Sequence, residues 1–420
     1  MAAMPPAASR PVAIDAWRDV SSSTASLASV RSCAWRSATV RSSRPTCACS
    51  RWPGRSSADV ASSTAVADLR ERLFSGLAIP AHPLALDADR HLDRRRQRAL
   101  ARYYLDAGAG GLAVGVHTTQ FAIREAGLFE DVLKLAAETA RDWQRLPEAA
   151  ALRPLLVAGA CGLTLQAIAE ARLARGLGYD AVLLSLAALK GASDDELLAL
   201  CAAVAREMPL IGFYLQPAVG GLALGVPFWT RFAALDNVVA IKVAPFNRYR
   251  TIDVVRGLVA ARAEERVALY TGNDDHIVHD LVTPFVAMRD GAPVSMRFRG
   301  GLLGHWSVWT KGAVDLLERC KAAVREHEAS GAIDVNLLAL DSRVTDCNGA
   351  FFDVANDFGG CIAGCHEVLR RQGLLERIDC LDPGEGRGRG QREANDRVLR
   401  EHADLADDAF VAANLERWLD

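Results

Sequence analysis

The stretch 237–245, Asn-Val-Val-Ala-Ile-Lys-Val-Ala-Pro, reads as a buried strand with one cation, Lys242, near its C-terminal end. A lysine there either runs its stem along the core and surfaces its amine, or is kept inside for chemistry. Desolvation favours the neutral amine, which attacks a carbonyl to give a Schiff base. Tyr214 ends the preceding apolar run and offers a phenol that can carry protons to and from a carbinolamine. His117-Thr118-Thr119-Gln120 ends an earlier run, with hydroxyls and backbone N–H groups suited to a carboxylate or a proton relay. His82, Ser185, Gln216 and Asn273-Asp274 are the other polar residues at or just beyond the ends of such runs.

These residues need a scaffold that gathers strand ends. Apolar runs at 77–82, 111–116, 155–160, 181–186, 210–215, 238–244, 267–271 and 294–298 alternate with segments of helical period. The helical segments fall near 89–107, 126–144, 163–177, 193–207, 226–235, 249–263 and 274–288, with another from about 303. Asp87 or Asp89 caps the first, Gly108 ends it, and Ser193 with Glu196 makes a capping box. Eight strand–helix units of this rhythm predict a (β/α)8 barrel over 71–327, with functional groups at the C-terminal strand ends. An open doubly wound sheet would carry a Gly-rich dinucleotide turn after its first strand, and the sequence has none. Residues 328–420 lose the strand pattern and read as a C-terminal helical region, with helices at 336–343, 351–358, 362–372 and 393–418.

The chain has 420 residues, is half hydrophobic, and carries a formal net charge of -2. That balance excludes a nucleic-acid partner recruited by bulk charge. No apolar run reaches the length of a membrane span, and none resembles a secretory signal. Ten cysteines scattered along a long chain form no disulfide framework, which points to a reducing, cytoplasmic setting. Residues 1–70 are rich in Ser, Arg, Ala and Thr, with no acidic residue between Asp19 and Asp59. This is the composition of an organelle transit peptide, but the expectation is a disordered or wrongly started N-terminal extension. Cys47-Ala48-Cys49 has no partner pair at zinc spacing.

Other clusters are assigned to structure. In Asp274-Asp275-His276-Ile277-Val278-His279-Asp280 the two histidines share a helix face, and the acids suit a helix N-terminus. No His-x-His marks the first strand, so no metal is expected. Cys361, Cys365 and His366 lie one turn apart and read as buried. The Gly-rich segment 382–390 follows no strand and reads as a connection, not a phosphate loop. Trp306 and Trp309 either line the barrel mouth or pack the last helix.

Over 76–380 the motifs resemble those of the dihydrodipicolinate synthase / N-acetylneuraminate lyase family. Ala81-His82-Pro83-Leu84 resembles the opening Thr-Pro-Phe segment, and 106–112 with 117–120 is similar to Gly-Val-Asp-Gly and Gly-Thr-Thr-Gly-Glu. Tyr214-Leu215-Gln216-Pro217 resembles Tyr-Asn-x-Pro, Ala240-Ile241-Lys242 resembles Gly-Ile-Lys, and 271–274 resembles Ser-Gly-Asp-Asp. The resemblance implies a class I, Schiff-base lyase or dehydratase acting on a pyruvate-type 2-oxo acid, without metal or organic cofactor, and a homo-oligomer. Lys242 would form the imine, Tyr214 would be the general acid/base, and Thr118 its relay partner. Thr119 would bind the substrate carboxylate, and His117, Asn273 and Gln216 are further candidate substrate contacts. Leu186-Ala187-Ala188-Leu189 replaces a Tyr-Tyr pair, Val219 replaces an arginine, and Gln120-Phe121 replaces Gly-Glu. These departures argue against dihydrodipicolinate synthesis itself, and His117 or a water would take over part of the relay. The alternative is a barrel that kept its lysine but now only binds a ligand.

Overall fold

The computed structural model describes residues 57–420. In chain order the strands are β1 (Ala78–Pro80), β2 (Gly111–Val114), β3 (Leu155–Ala160), β4 (Ala181–Leu184), β5 (Leu210–Leu215), β6 (Val238–Ala244) and β7 (Ala268–Thr271). They are followed by β8 (Phe285–Arg289), β9 (Ala292–Met296) and β10 (Phe298–Leu303). Eight of them form one parallel sheet in the order β1-β10-β7-β6-β5-β4-β3-β2. A bridge between Ala81 and Ala113 joins its two edges, so the fold is a (β/α)8 barrel.

The helices are α1 (Ser57–Ser75), α2 (Arg94–Asp106), α3 (Phe129–Gln144), α4 (Thr164–Gly176), α5 (Asp194–Ala205), α6 (Val226–Ala233) and α7 (Arg248–Ala260). After α8 (Ile277–Val282) and α9 (Thr310–Ser330) come the C-terminal helices α10 (Val335–Phe351), α11 (Cys361–Arg371), α12 (Gln391–Glu401) and α13 (Asp408–Leu419). No helix among the described residues is long and apolar enough to cross a membrane.

Local chemistry accounts for the helix starts. Ser193 and Glu196 form the expected capping box on α5, and Asn247 and Asp334 cap α7 and α10. The first barrel helix is capped by Asp93, whose carboxylate accepts from the Arg96 N–H. Asp87, one of the two expected caps, instead holds the N–H groups of Asp89 and His91 in a turn.

The eighth strand departs from expectation. The run 294–298 lies mostly in β9, which pairs antiparallel with β8, and the eighth barrel strand is β10. The turn between β8 and β9 is Asp290-Gly291, with φ of 53° and 81°. Asp-Gly with both residues left-handed is a favoured two-residue hairpin turn, and it truncates the helix expected over 274–288 to the six residues of α8. The helix expected at 351–358 is also absent: Asp353, Asp357 and Phe358 take positive φ there.

Alternation along the strands divides the core in two. Ile79, Val157, Leu183, Ile211 and Leu302 face the barrel interior, whereas Leu112, Leu156, Val182, Ile241 and Leu269 face the helices. Helix α1 stoppers the N-terminal end of the barrel. Its Leu69 and Leu73 join the interior cluster, and the Arg70 and Arg72 guanidiniums donate to the carbonyls of Asp236 and Arg153 just before β6 and β3. The Tyr270 hydroxyl donates to the Leu73 carbonyl at 2.9 Å from inside the barrel. Residues 57–70 of the expected extension therefore belong to a helix of the folded body. The rest of that extension, with Cys33, Cys47 and Cys49, lies outside the described residues. Leu73 is fully buried, so Leu73→Ala is expected to destabilise the chain by about 2–4 kcal/mol. The measurement is a fall in the urea midpoint at unchanged slope.

Candidate active site

Strand β6 carries a bulge. Leu210 pairs with Val238 but Ile211 pairs with Ala240, so Val239 is surplus. Val239 and Ala240 both join the interior cluster, Ile241 turns to the helices, and Lys242 turns inward opposite Phe213. Without the surplus residue, strict alternation from Val238 would send Lys242 outward. The amine lies 4.5 Å from the centroid of the Phe213 ring, and only 8 % of the residue is exposed. Gly272 on the β7 loop makes the room: a Cβ there would sit 2.7 Å from Lys242 Cε.

Lys242 and Asp274 line one cavity of about 60 Å³ at the C-terminal end of the barrel. A water needs roughly 10–15 Å³ by this measure, so the space suits a molecule of a few heavy atoms. Burial pulls the Lys242 amine down to about 8, partly opposed by the charge of Asp274. Burial pushes the Asp274 carboxyl up to about 7, against the His305 N–H and the charge of Lys242. Asp274 Oδ1 accepts the His305 N–H at 3.1 Å, and the carboxylate makes no direct ion pair with the amine. An amine and a carboxyl that line one small cavity without pairing can both reach a small carbonyl compound bound in it.

The expected relay residue Thr118 and two expected substrate contacts stand in this cavity. Thr118, Gln216 and His117 line it, and none of their side chains hydrogen bonds to another described residue. Burial and the nearby Lys242 charge lower His117 to about 4, so its imidazole is neutral at ordinary pH. The roof is apolar. Phe246 and Phe358, both at positive φ, meet edge to face at 5.7 Å, and Phe352 and Ile362 close over them. Cys361 and Cys365 of α11 also line the cavity; Cys365 is buried as expected, whereas Cys361 is only half-buried. Burial raises Cys361 to about 12 and Cys365 further, so both remain thiols and are poor nucleophiles.

The other expected residues are placed elsewhere. Strand β5 has no surplus residue, so Phe213 faces inward and Tyr214 faces the helices. The Tyr214 ring packs on Trp229, and its hydroxyl donates to the Leu224 carbonyl and accepts from the Leu224 N–H and the Arg250 guanidinium. Tyr214 does not line the cavity. Thr119 Oγ1 is consumed by backbone, donating to the His82 carbonyl at 2.6 Å and accepting the Gly115 N–H at 3.0 Å. Asn273 points away, to Thr251, Asp280 and the Phe246 N–H. Its neighbour Asp274 is the one that faces the amine. Strand parity in 210–215 was a usable signal for Phe213 over Tyr214; no sequence signal brings α11 to the roof. Trp306 and Trp309 are buried packing residues. Among the described residues, three clusters of His, Asp and Glu have metal-competent atoms within 4.8 Å of one another, and none includes the cavity residues His117, Asp274, Cys361 or Cys365.

No family model and no curated protein matches the sequence. Solved structures do match. The dihydrodipicolinate synthase of Acinetobacter baumannii, complexed with pyruvate, superposes with a TM-score of 0.62 at 18% identity, over 78% of this chain and 99% of that one. The dihydrodipicolinate synthase of Oceanobacillus iheyensis gives 0.62 at 17%, over 81% and 99%. YagE, a prophage protein of the same family from E. coli K12 complexed with pyruvate, gives 0.62 at 17%, over 78% and 98%. At these identities the likeness establishes the fold: a (β/α)8 barrel with a C-terminal helical region.

The lowered amine has a direct readout. Carbamylation by cyanate requires the neutral amine, so the Lys242 rate is expected to level off above pH of about 8, as its proton is lost. Free Nα-acetyl-lysine in the same solution is the reference, its rate still rising toward the ordinary lysine value of about 10.4. Mass spectrometry reads both, and a Lys242 midpoint equal to that of the free amino acid would contradict a desolvated amine.

Proposed function

We propose that the chain is a divergent member of the dihydrodipicolinate synthase / N-acetylneuraminate lyase family and forms a Schiff base through Lys242. The observation that carries this reading is the buried Lys242 amine, held with Asp274 in one small cavity at the functional end of the barrel. Pyruvate in two of the matched barrels supports a 2-oxo acid as substrate. In the reaction the amine attacks the keto carbon, and the carbinolamine loses water with a proton from Asp274. The resulting iminium draws electrons from the neighbouring bond, which eases C–C cleavage or formation, or loss of water. Asp274 takes the acid/base role in place of Tyr214, because it is the proton-carrying group that faces the amine. Thr118, Gln216 and the neutral His117 supply hydrogen bonds for the substrate carboxylate. Val219 lines the cavity, and Ala187 and Ala188 do not, so nothing there favours a second substrate that carries a carboxylate. A C–C or C–O lyase for an uncharged second partner fits better than dihydrodipicolinate synthesis. The seven described cysteines are all free, in keeping with a reducing cytoplasm.

The outward Tyr214 also favours a second reading, a barrel that binds a carbonyl ligand without turning it over. Incubation with pyruvate and borohydride separates the two. The lyase reading expects a reduced adduct on Lys242, absent in Lys242→Ala. Asp274→Asn should slow adduct formation by about 10²–10⁴-fold while secondary structure persists. Lack of adduct with pyruvate and a panel of 2-oxo acids would leave the binding reading.

A further inference from the structure

We infer that His276, His279 and Asp341 form a binding site for a divalent transition ion of the zinc class, outside the Lys242 cavity. His276 precedes α8, His279 lies within it, and Asp341 projects from α10. The three candidate ligand atoms make a nearly regular triangle. His276 Nδ1 lies 3.5 Å from Asp341 Oδ2, His279 Nδ1 lies 3.1 Å from the same oxygen, and the two nitrogens are 3.4 Å apart. Zinc bonds of 2.0–2.1 Å in a tetrahedron imply ligand separations of about 3.3–3.4 Å. An octahedral ion at that bond length needs about 2.9 Å between adjacent ligands, and the hard cations that favour it prefer oxygen. The triangle therefore fits three corners of a tetrahedron.

The surroundings support a cation. Asp341 is 5 % exposed at its side chain, and its second oxygen is fixed by the N–H groups of Val278 and His279 at 2.9 and 3.1 Å. Such outer bonds aim a ligand carboxylate. Among the described residues, no lysine or arginine pairs with Asp341; its only ion-pair contacts are the two histidines. The other two clusters fail this test or are already occupied. The Arg397 guanidinium binds both oxygens of Asp346 at 2.7 Å and Glu401 at 2.9 Å. The cluster of Asp87, Asp89 and His91 holds no buried carboxylate: the Asp87 and His91 side chains are 44 % and 79 % exposed. At the triad the imidazoles are 43 % and 39 % exposed, which leaves the fourth corner open to water or an anion. A bound ion would tie α8 and the loop before it to α10.

The test uses the full chain without a histidine tag, stripped with chelator and titrated with Co(II). The expected result is about one equivalent bound, with visible absorption bands of tetrahedral intensity, displaced by Zn(II). Asp341 also caps α8, so the variants are the half-exposed histidines: His276→Ala and His279→Ala should each weaken binding at least tenfold, by the general cost of disturbing a metal site. Unchanged circular dichroism shows that these variants fold, and His402→Ala should bind as the parent does. The inference fails if the parent binds no Co(II), if His279→Ala binds equally, or if His402→Ala abolishes binding. An intense near-ultraviolet charge-transfer band, the mark of cysteine thiolate ligands, would also overturn it.

Discussion

The surplus Val239 in β6 decides which side chain meets the barrel interior. Pairing with β5 resumes one residue late, and that shift converts an outward lysine into an inward one. Desolvating an ammonium is unfavourable by several kcal/mol unless it is compensated. Here the face of Phe213 and the charge of Asp274 offset part of that penalty, and a lowered affinity for the proton absorbs the rest. The bulge, the glycine at 272 and the inward Phe213 are thus one arrangement. Each removes an obstacle to a buried amine.

Burial moves the amine and the carboxyl toward each other in proton affinity, to about 8 and about 7. Groups brought this close in proton affinity suit the acid/base roles proposed for them, with a substrate between them. The neutral His117 adds no competing charge. The apolar side chains of Phe246, Phe352, Phe358 and Ile362 lower the polarity around both groups and so favour both shifts. No lysine or arginine other than Lys242 lines the cavity, so a further buried charge would find no cationic partner there.

The barrel was legible because its signals are local. Apolar runs bounded by turns, and helices opened by Ser193 and Asn247, report the period without reference to tertiary contacts. The eighth unit was misread because an apolar run at 294–298 looks the same in a barrel strand and in a hairpin. The Asp290-Gly291 turn is the local signal that distinguishes them. Lys242 was legible as a lone cation in an apolar run. Tyr214 and Thr119 were matched to motifs by order along the chain, and order does not report parity. Asn273 missed by one residue for the same reason. The bulge itself has no mark in Val238-Val239-Ala240, and only the pairing with β5 reveals it.

The C-terminal helices are part of the site. On α10, Asp341, Thr345 and Asn348 follow the i, i+4, i+7 spacing of one helix face. Asp341 accepts from the N–H groups of Val278 and His279, Thr345 donates to the Asp275 carbonyl, and Asn348 donates to the Asp274 carbonyl at 2.6 Å. This polar stripe holds the whole loop after β7, the loop whose Asp274 faces the amine. From the other side of the barrel, Gln120 takes a left-handed φ of 69° and accepts the Leu381 N–H. Gln120 stands where the resemblance expects glycine, so the chain gives up glycine's freedom there and gains a hydrogen bond that anchors residues beyond α11. Helix α11 in turn carries Cys361, Ile362 and Cys365 over the cavity. The appended helices, gripping two strand-end loops, thus complete the lining of the cavity in which the Lys242 amine is buried.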